Sequence, residues 1–174
     1  MTAIIDNKML WHQYGAAIDD LEYVLRDCPD ELWEEMLWDD HADQWVARGF
    51  SKFWYLGYHV LFWLDLYLFG AEEGFAPPAP FDLVEMHANE SLPRIYSREE
   101  LLHYLAACRE KCKDIVLGMT EEEARRMCKF PWGELPYGEL QLYNLRHVAE
   151  HGSQLRMFLG QRANKQAKNI TRVE

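Results

Sequence analysis

The stretch LQLYNLRHVAEHGSQLRMFLG, from Leu140 to Gly160, decides the fold of this chain. Its apolar residues recur every three or four positions, which is the period of an amphipathic α-helix. His147 and His151 are four residues apart, so both imidazoles lie on one face of that helix, one turn from each other. The face is otherwise mostly apolar, and with the histidines it comprises Leu140, Tyr143, Asn144, Gln154, Leu155 and Phe158. Both histidines are therefore predicted to point into the core.

A pair of core histidines needs partners, because burying a polar group without a hydrogen bond is costly. One metal ion would satisfy both rings, and this helical spacing is typical of two ligands for one metal. The alternative is a pair of core histidines that are hydrogen-bonded to neighbouring helices. A zinc- or nickel-type site also requires a third protein ligand. The candidates are His12, His41, His59, His87, His103, Cys108, Cys112 and the acidic residues.

His59 is the best candidate for the third ligand, because it lies in the middle of the most apolar segment, Phe53 to Gly70. Asp65 lies on a different face of the same segment and is a poor local partner for His59. The segment is long enough to be considered as a membrane span. It is rich in aromatic rather than aliphatic residues and has no polybasic flank, which favours a buried helix in a soluble bundle.

Composition narrows the compartment and the partners. With 174 residues, 49% of them hydrophobic, the chain can bury one core. The net charge of −11 argues against nucleic acid and anionic lipid as partners, and we expect a small-molecule substrate instead. The four cysteines form no C-x-x-C motif, and the N-terminus shows no signal peptide. We therefore expect reduced, buried thiols in a cytoplasmic protein.

Apolar periodicity and capping signals predict an all-α protein. Ser97 and Thr120 each begin an S/T-x-x-E capping box, and Thr120 opens a short helix that ends near Met127. No β-hairpin signal is visible. We expect one helical domain over residues 1–161 and a polar, frayed tail over residues 162–174. The four long helices are predicted at about Asn7 to Asp27, Ser51 to Phe69, Ser97 to Met119 and Glu139 to Leu159.

This arrangement resembles the DinB/YfiT-like superfamily over about Asn7 to Gly160. The stretches that carry the resemblance are FWYLGYHVLFWLDLYLFG, from Phe53 to Gly70, and the Leu140 to Gly160 stretch with its H-x-x-x-H. The resemblance implies a four-helix bundle with up-down-down-up topology, in which three histidines bind a divalent metal, commonly nickel or zinc. The corresponding ligands here are His59, His147 and His151. Family members often read H-x-G-Q, whereas this chain reads His151-Gly152-Ser153-Gln154.

Three imidazoles on a divalent metal leave a coordination position open, where a bound water or thiol becomes more acidic. The resemblance implies a metal-dependent transferase that uses a low-molecular-weight thiol, such as bacillithiol or mycothiol, or a hydrolase. It also implies a homodimer. The alternative is a non-catalytic helical bundle that acts as a binding or stress-response protein without bound metal. The sequence alone assigns no catalytic residue and no residue that binds a thiol cofactor.

Overall fold

The computed structural model describes residues 6–39, 42–43, 46, 48–87, 93–165 and 169–174. Within these ranges the chain is mainly helical, as predicted, with one small sheet of two strands. The helices are α1 (Asn7–Asp27), α2 (Phe53–Phe69), α3 (Arg98–Gly118), α4 (Glu121–Arg125) and α5 (Tyr137–Ala163). The strands are β1 (Met127–Phe130) and β2 (Gly133–Pro136), and two 3-10 turns cover Asp30–Leu32 and Val84–Met86.

Helix α2 is the most deeply buried element of the fold. It packs against α3 and α5, and α1 packs against the same two helices on the other side. All residues of α2 are buried except His59, Trp63 and Phe69. This burial fits the prediction of a core helix. No helix in the described part of the chain combines the length and the apolar character that a membrane span needs.

The buried polar groups of α2 are tied to its neighbours. Asp65 accepts a hydrogen bond from the hydroxyl of Tyr104 at 3.0 Å and pairs with the ammonium of Lys111 at 2.6 Å. Asp65 therefore faces α3 and not His59, as its helical position predicts. On the α5 side, Asn144 Nδ2 donates to the carbonyl of Leu64 at 3.1 Å, and that bond fastens α5 to α2.

Most helix ends follow the predicted caps. The capping boxes at Ser97 and Thr120 are both present, and Gly70 ends α2 in the left-handed conformation. Ser51 is not the N-cap of α2, because its hydroxyl donates to the Trp38 carbonyl and Lys52 takes the cap position. Gly160 does not end α5, since the good helix formers after it carry the helix on to Ala163.

The prediction that the chain contains no hairpin is wrong. Strands β1 and β2 pair antiparallel, with Met127 opposite Pro136 and Phe130 opposite Gly133. Each strand has only four residues, and the turn between them lacks the Asn-Gly or Asp-Gly pair that signals a hairpin. Burial of alternate side chains, Cys128 and Phe130, against the bundle holds the pair in place.

The end of the chain differs from the frayed tail that its polarity predicts. Residues 169–174 lie along α1, where the backbone N–H of Val173 donates to the carbonyl of His12 at 3.1 Å. The indole N–H of Trp11 donates to the carbonyl of Glu174 at 3.2 Å, and Val173 is buried. Two apolar side chains, Ile170 and Val173, and a few hydrogen bonds thus anchor a segment that has no apolar periodicity.

Two glycine substitutions test the fold in opposite directions. Gly70→Ala should lower the free energy of unfolding by about 1–2 kcal/mol, because φ is positive there. The new Cβ would also lie 2.8 Å from the Arg126 guanidinium. Gly160→Ala, in the exposed last turns of α5, should raise the free energy of unfolding by about 0.5–1 kcal/mol.

The measurement is urea unfolding of both variants beside the unsubstituted protein. If both substitutions moved stability the same way, the left-handed cap at Gly70 and the helical state of Gly160 could not both be correct.

Candidate metal centre

Helices α2 and α5 bring the three predicted histidines into one cluster. The Nε2 atoms of His59 and His147 are 3.2 Å apart. Nitrogen atoms of His59, His147 and His151, one from each ring, all lie within 4.8 Å of one another. The three ring centroids are 4.5 to 5.2 Å apart. This geometry is compatible with one divalent metal bound by three imidazoles, and metal ligation itself stays a prediction.

The position of α5 on α2 explains why the rings meet. Gln141 and Asn144, both fully buried, donate to the carbonyls of Tyr67 and Leu64 at 2.9 and 3.1 Å. These bonds set the register between the two helices. His147 and His151 follow about one and two turns after Asn144, which places them beside the unburied stripe of α2 that contains His59.

Glu85 orients His59 from outside the cluster. It comes from the 3-10 turn Val84–Met86, and its Oε2 lies 2.7 Å from His59 Nδ1 and 2.8 Å from the indole nitrogen of Trp63. Burial alone would raise the pKa of Glu85, but His59 and the indole N–H outweigh it and hold that pKa below its usual value. An ionised Glu85 accepts the Nδ1 proton of His59 and leaves its Nε2 lone pair facing the other two rings.

Gln154 plays the same part for His151. Its Oε1 lies 2.7 Å from His151 Nδ1, which therefore donates, and His151 Nε2 is left as a lone-pair donor for a cation. Asn144 and Gln154 are the two polar residues, besides the histidines, on the face of α5 that the sequence predicts to be buried. Such a residue can bind a histidine or a neighbouring helix. Gln154 takes the first role, and Asn144 takes the second through the Leu64 carbonyl.

The electrostatics keep the cluster in the form that binds metal. Burial, reinforced by His59 and His151, lowers the pKa of His147 to about 2. Burial and the neighbouring His59 also lower the pKa of His151. Both rings are therefore neutral near neutral pH, and only neutral imidazole can coordinate a cation. His147 Nδ1 is buried and has no partner within the described part of the chain. This donor set fits zinc or nickel.

The remaining candidate ligands stand apart from the cluster. His12 is half-buried on α1, whereas His87 and His103 are exposed. Cys108 and Cys112 are buried free thiols, and burial raises the pKa of each, so they belong to the core, as predicted. His41 lies outside the described residues. Among the described residues, the histidine cluster is the only group with metal-binding geometry.

A cleft of about 500 Å³ opens directly onto the histidines. Trp63 and Tyr143 line it, whereas Tyr58 is fully buried. Trp132 at the hairpin turn also lines the cleft, but the proline-rich loop from Glu72 to Pro80 contributes no lining residue. Its aromatic lining consists of Trp38, Phe50, Tyr55, Trp63, Tyr67, Trp132 and Tyr143.

Sequence reasoning missed Glu85. Nothing in the local sequence around Glu85 distinguishes its carboxylate from those of the other 28 acidic residues of the chain. What selects Glu85 is tertiary contact, because its side chain is only 6% exposed and lies against His59.

Comparison with known proteins agrees with this geometry. The family model of the DinB superfamily matches residues 13–155, which is well over half of the chain. The chain belongs to the DinB superfamily. No curated protein matches the sequence.

Glu85→Gln should weaken zinc binding by about 10- to 100-fold, because the neutral amide oxygen is a weaker acceptor for the Nδ1 proton of His59 and the negative charge behind the ring is lost. Zinc affinity is measured by competition with a chromophoric chelator. Glu31→Gln, an exposed acid in the other 3-10 turn, is the matched control and should bind zinc like the unsubstituted protein. Equal zinc affinities for the two variants would show that Glu85 does not contribute to metal binding.

The metal-free protein should become less stable as the pH is lowered. Because the pKa of His147 is about 2 in the fold and 6.5 ordinarily, the unfolded chain binds a proton between these values that the folded chain does not. The free energy of unfolding should therefore decrease below about pH 6.5, with a slope near 1.4 kcal/mol per pH unit for this residue. Urea unfolding of chelator-treated protein measures it. His147→Asn should show a shallower dependence, and an unchanged slope would contradict the neutral buried ring.

Proposed function

We propose that this chain is a divalent-metal-dependent enzyme of the DinB type that acts on a small molecule. His59, His147 and His151 are its metal ligands, and zinc or nickel is the metal. The observation that carries the proposal is the convergence of three imidazoles at the end of a cleft. Glu85 and Gln154, which hold the far nitrogens of two of the rings, support it, because such partners orient the histidines of metal sites.

The reaction we propose is transfer of a low-molecular-weight thiol, of the bacillithiol or mycothiol type, to an electrophile, or hydrolysis of a small molecule. A divalent metal held by the three rings would supply Lewis acidity and lower the pKa of a thiol or water. Glu85 keeps His59 in the required tautomer, and Gln154 does so for His151. The aromatic lining limits access of bulk water and orients the substrate.

We also propose the up-down-down-up topology of the family for the long helices α1, α2, α3 and α5. The contacts Asn7–Met119 and Asp19–Arg109 support it, because they make α1 and α3 antiparallel. The contacts His59–His147 and Tyr67–Gln141 make α2 and α5 antiparallel. The contacts Tyr14–Asn144 and Asp20–Arg156 make α1 and α5 parallel. Formation of a homodimer stays a prediction.

The deciding experiment is elemental analysis of protein purified without a His-tag or a nickel column. We expect near-stoichiometric zinc or nickel in the unsubstituted protein and in His103→Ala, whose side chain is exposed on α3. His147→Ala should lose the metal. Absence of metal from all three proteins, even after incubation with zinc or nickel, would leave the non-catalytic binding or stress-response protein as the better description.

A further inference from the structure

The hairpin presents an aromatic surface to the cleft. Trp132 stacks on Phe130 with ring centroids 5.3 Å apart and an interplanar angle of 3°. Phe130 is buried and is not part of the lining, whereas Trp132 lines the cleft and is 49% exposed. One face of the indole is thus supported from behind by the bundle. Its solvent-accessible ring surface is available for a flat ligand.

This surface begins directly beside the histidine cluster. The ring of Tyr67 lies between the two, with centroid distances of 6.4 Å to His147 and 6.2 Å to Trp132. Tyr143 lies 5.2 Å from Trp132 and 5.4 Å from Tyr67. The three rings, Tyr67, Trp132 and Tyr143, form what we call the aromatic wall. A ring placed against this wall has its substituents within reach of the histidines.

The charged side chains that line the cleft do not suit an anion bound against the aromatic wall. Among the described residues that line it, none is Lys or Arg, and Glu85 carries a negative charge. The residues of 40–47 and 88–92 that the structure leaves undescribed include neither Lys nor Arg. The guanidinium of Arg146 lies over the Tyr143 ring, 5.1 Å from its centroid, but Arg146 does not line the cleft. A carboxylate or phosphate bound against the wall would lack a cationic partner from the lining.

We propose that the substrate of this site carries an aromatic ring without negative charge, and that the ring stacks on the aromatic wall with Trp132 as its main contact. This inference rests on the proposed function for the reaction, but the wall itself needs no metal. Ring faces attract other rings and cations, and both contacts strengthen where water is excluded. The electrophile thus occupies the wall, and the nucleophile occupies the histidine end.

Isothermal titration with three probes tests the proposal: phenyltrimethylammonium, tetramethylammonium and benzenesulfonate. Chelator-treated full-length protein is used for the comparison, so that a bound dication does not attract the sulfonate. We expect phenyltrimethylammonium to bind about tenfold or more tightly than either of the others. Trp132→Ala should weaken its binding by about tenfold, and Trp132→Phe should largely restore it.

Met127→Ala is the matched control, since Met127 is an exposed residue of the same hairpin outside the cleft. It should leave probe binding unchanged, which separates loss of the ring from disturbance of the hairpin. Equal binding of the sulfonate, equal binding of the ring-free cation, or no effect of Trp132→Ala would each overturn the proposal.

Metal content measured on the untreated samples keeps this outcome separate from the proposed function. Metal without selective probe binding would refute the aromatic wall as the substrate site and leave the metalloenzyme intact. Selective probe binding by a protein that takes up no metal would support the wall and refute the metal-dependent reaction.

Discussion

Two buried amide side chains determine where α5 lies on α2, and the site depends on that register. Gln141 and Asn144 donate to the backbone carbonyls of Tyr67 and Leu64. Because the acceptors are backbone groups, they are present whichever side chain occupies these two positions of α2. An amide group in a dry core has few alternative partners, so a shift of either helix would leave it unpaired at a cost of about 1–3 kcal/mol. The meeting of His147 with His59 follows from this alignment, at a point about one turn further along α5.

Once the rings meet, their environment determines what they can do. Burial lowers the pKa of His147 and of His151 and keeps both rings neutral, so the two histidines of α5 bring no charge into the bundle. The ionised carboxylate of Glu85, behind His59, is paired with His59 and Trp63. A dication would thus meet three imidazole donors and one carboxylate behind them. The negative charge of Glu85 would lower the cost of holding a dication in a half-buried site. Because Glu85 contacts His59 and would not bind the metal itself, a coordination position would stay open for a substrate or water.

Features of this structure that depend on residues close together in the sequence could be predicted from it, whereas features that depend on tertiary contacts could not. The two histidines of α5, the capping boxes and the left-handed Gly70 depend on neighbours within a turn or two, and periodicity alone indicates them. His59 required one further step, since a polar residue in an apolar helix needs a partner. Glu85 and the hairpin could not be found in this way. A 3-10 turn and strands of four residues have little intrinsic stability, so tertiary contacts select them.

The elements that local patterns missed are also the ones that complete the site. The long helices supply the three imidazoles, and their geometry is constrained by the whole core. Glu85 and Trp132 come instead from a short turn and a hairpin that rest on the outside of the bundle. Changes in such elements disturb few core contacts, so they can alter ring orientation or cleft lining while the helices keep their register. The fold thus separates the residues that would hold a metal from those that would choose its substrate.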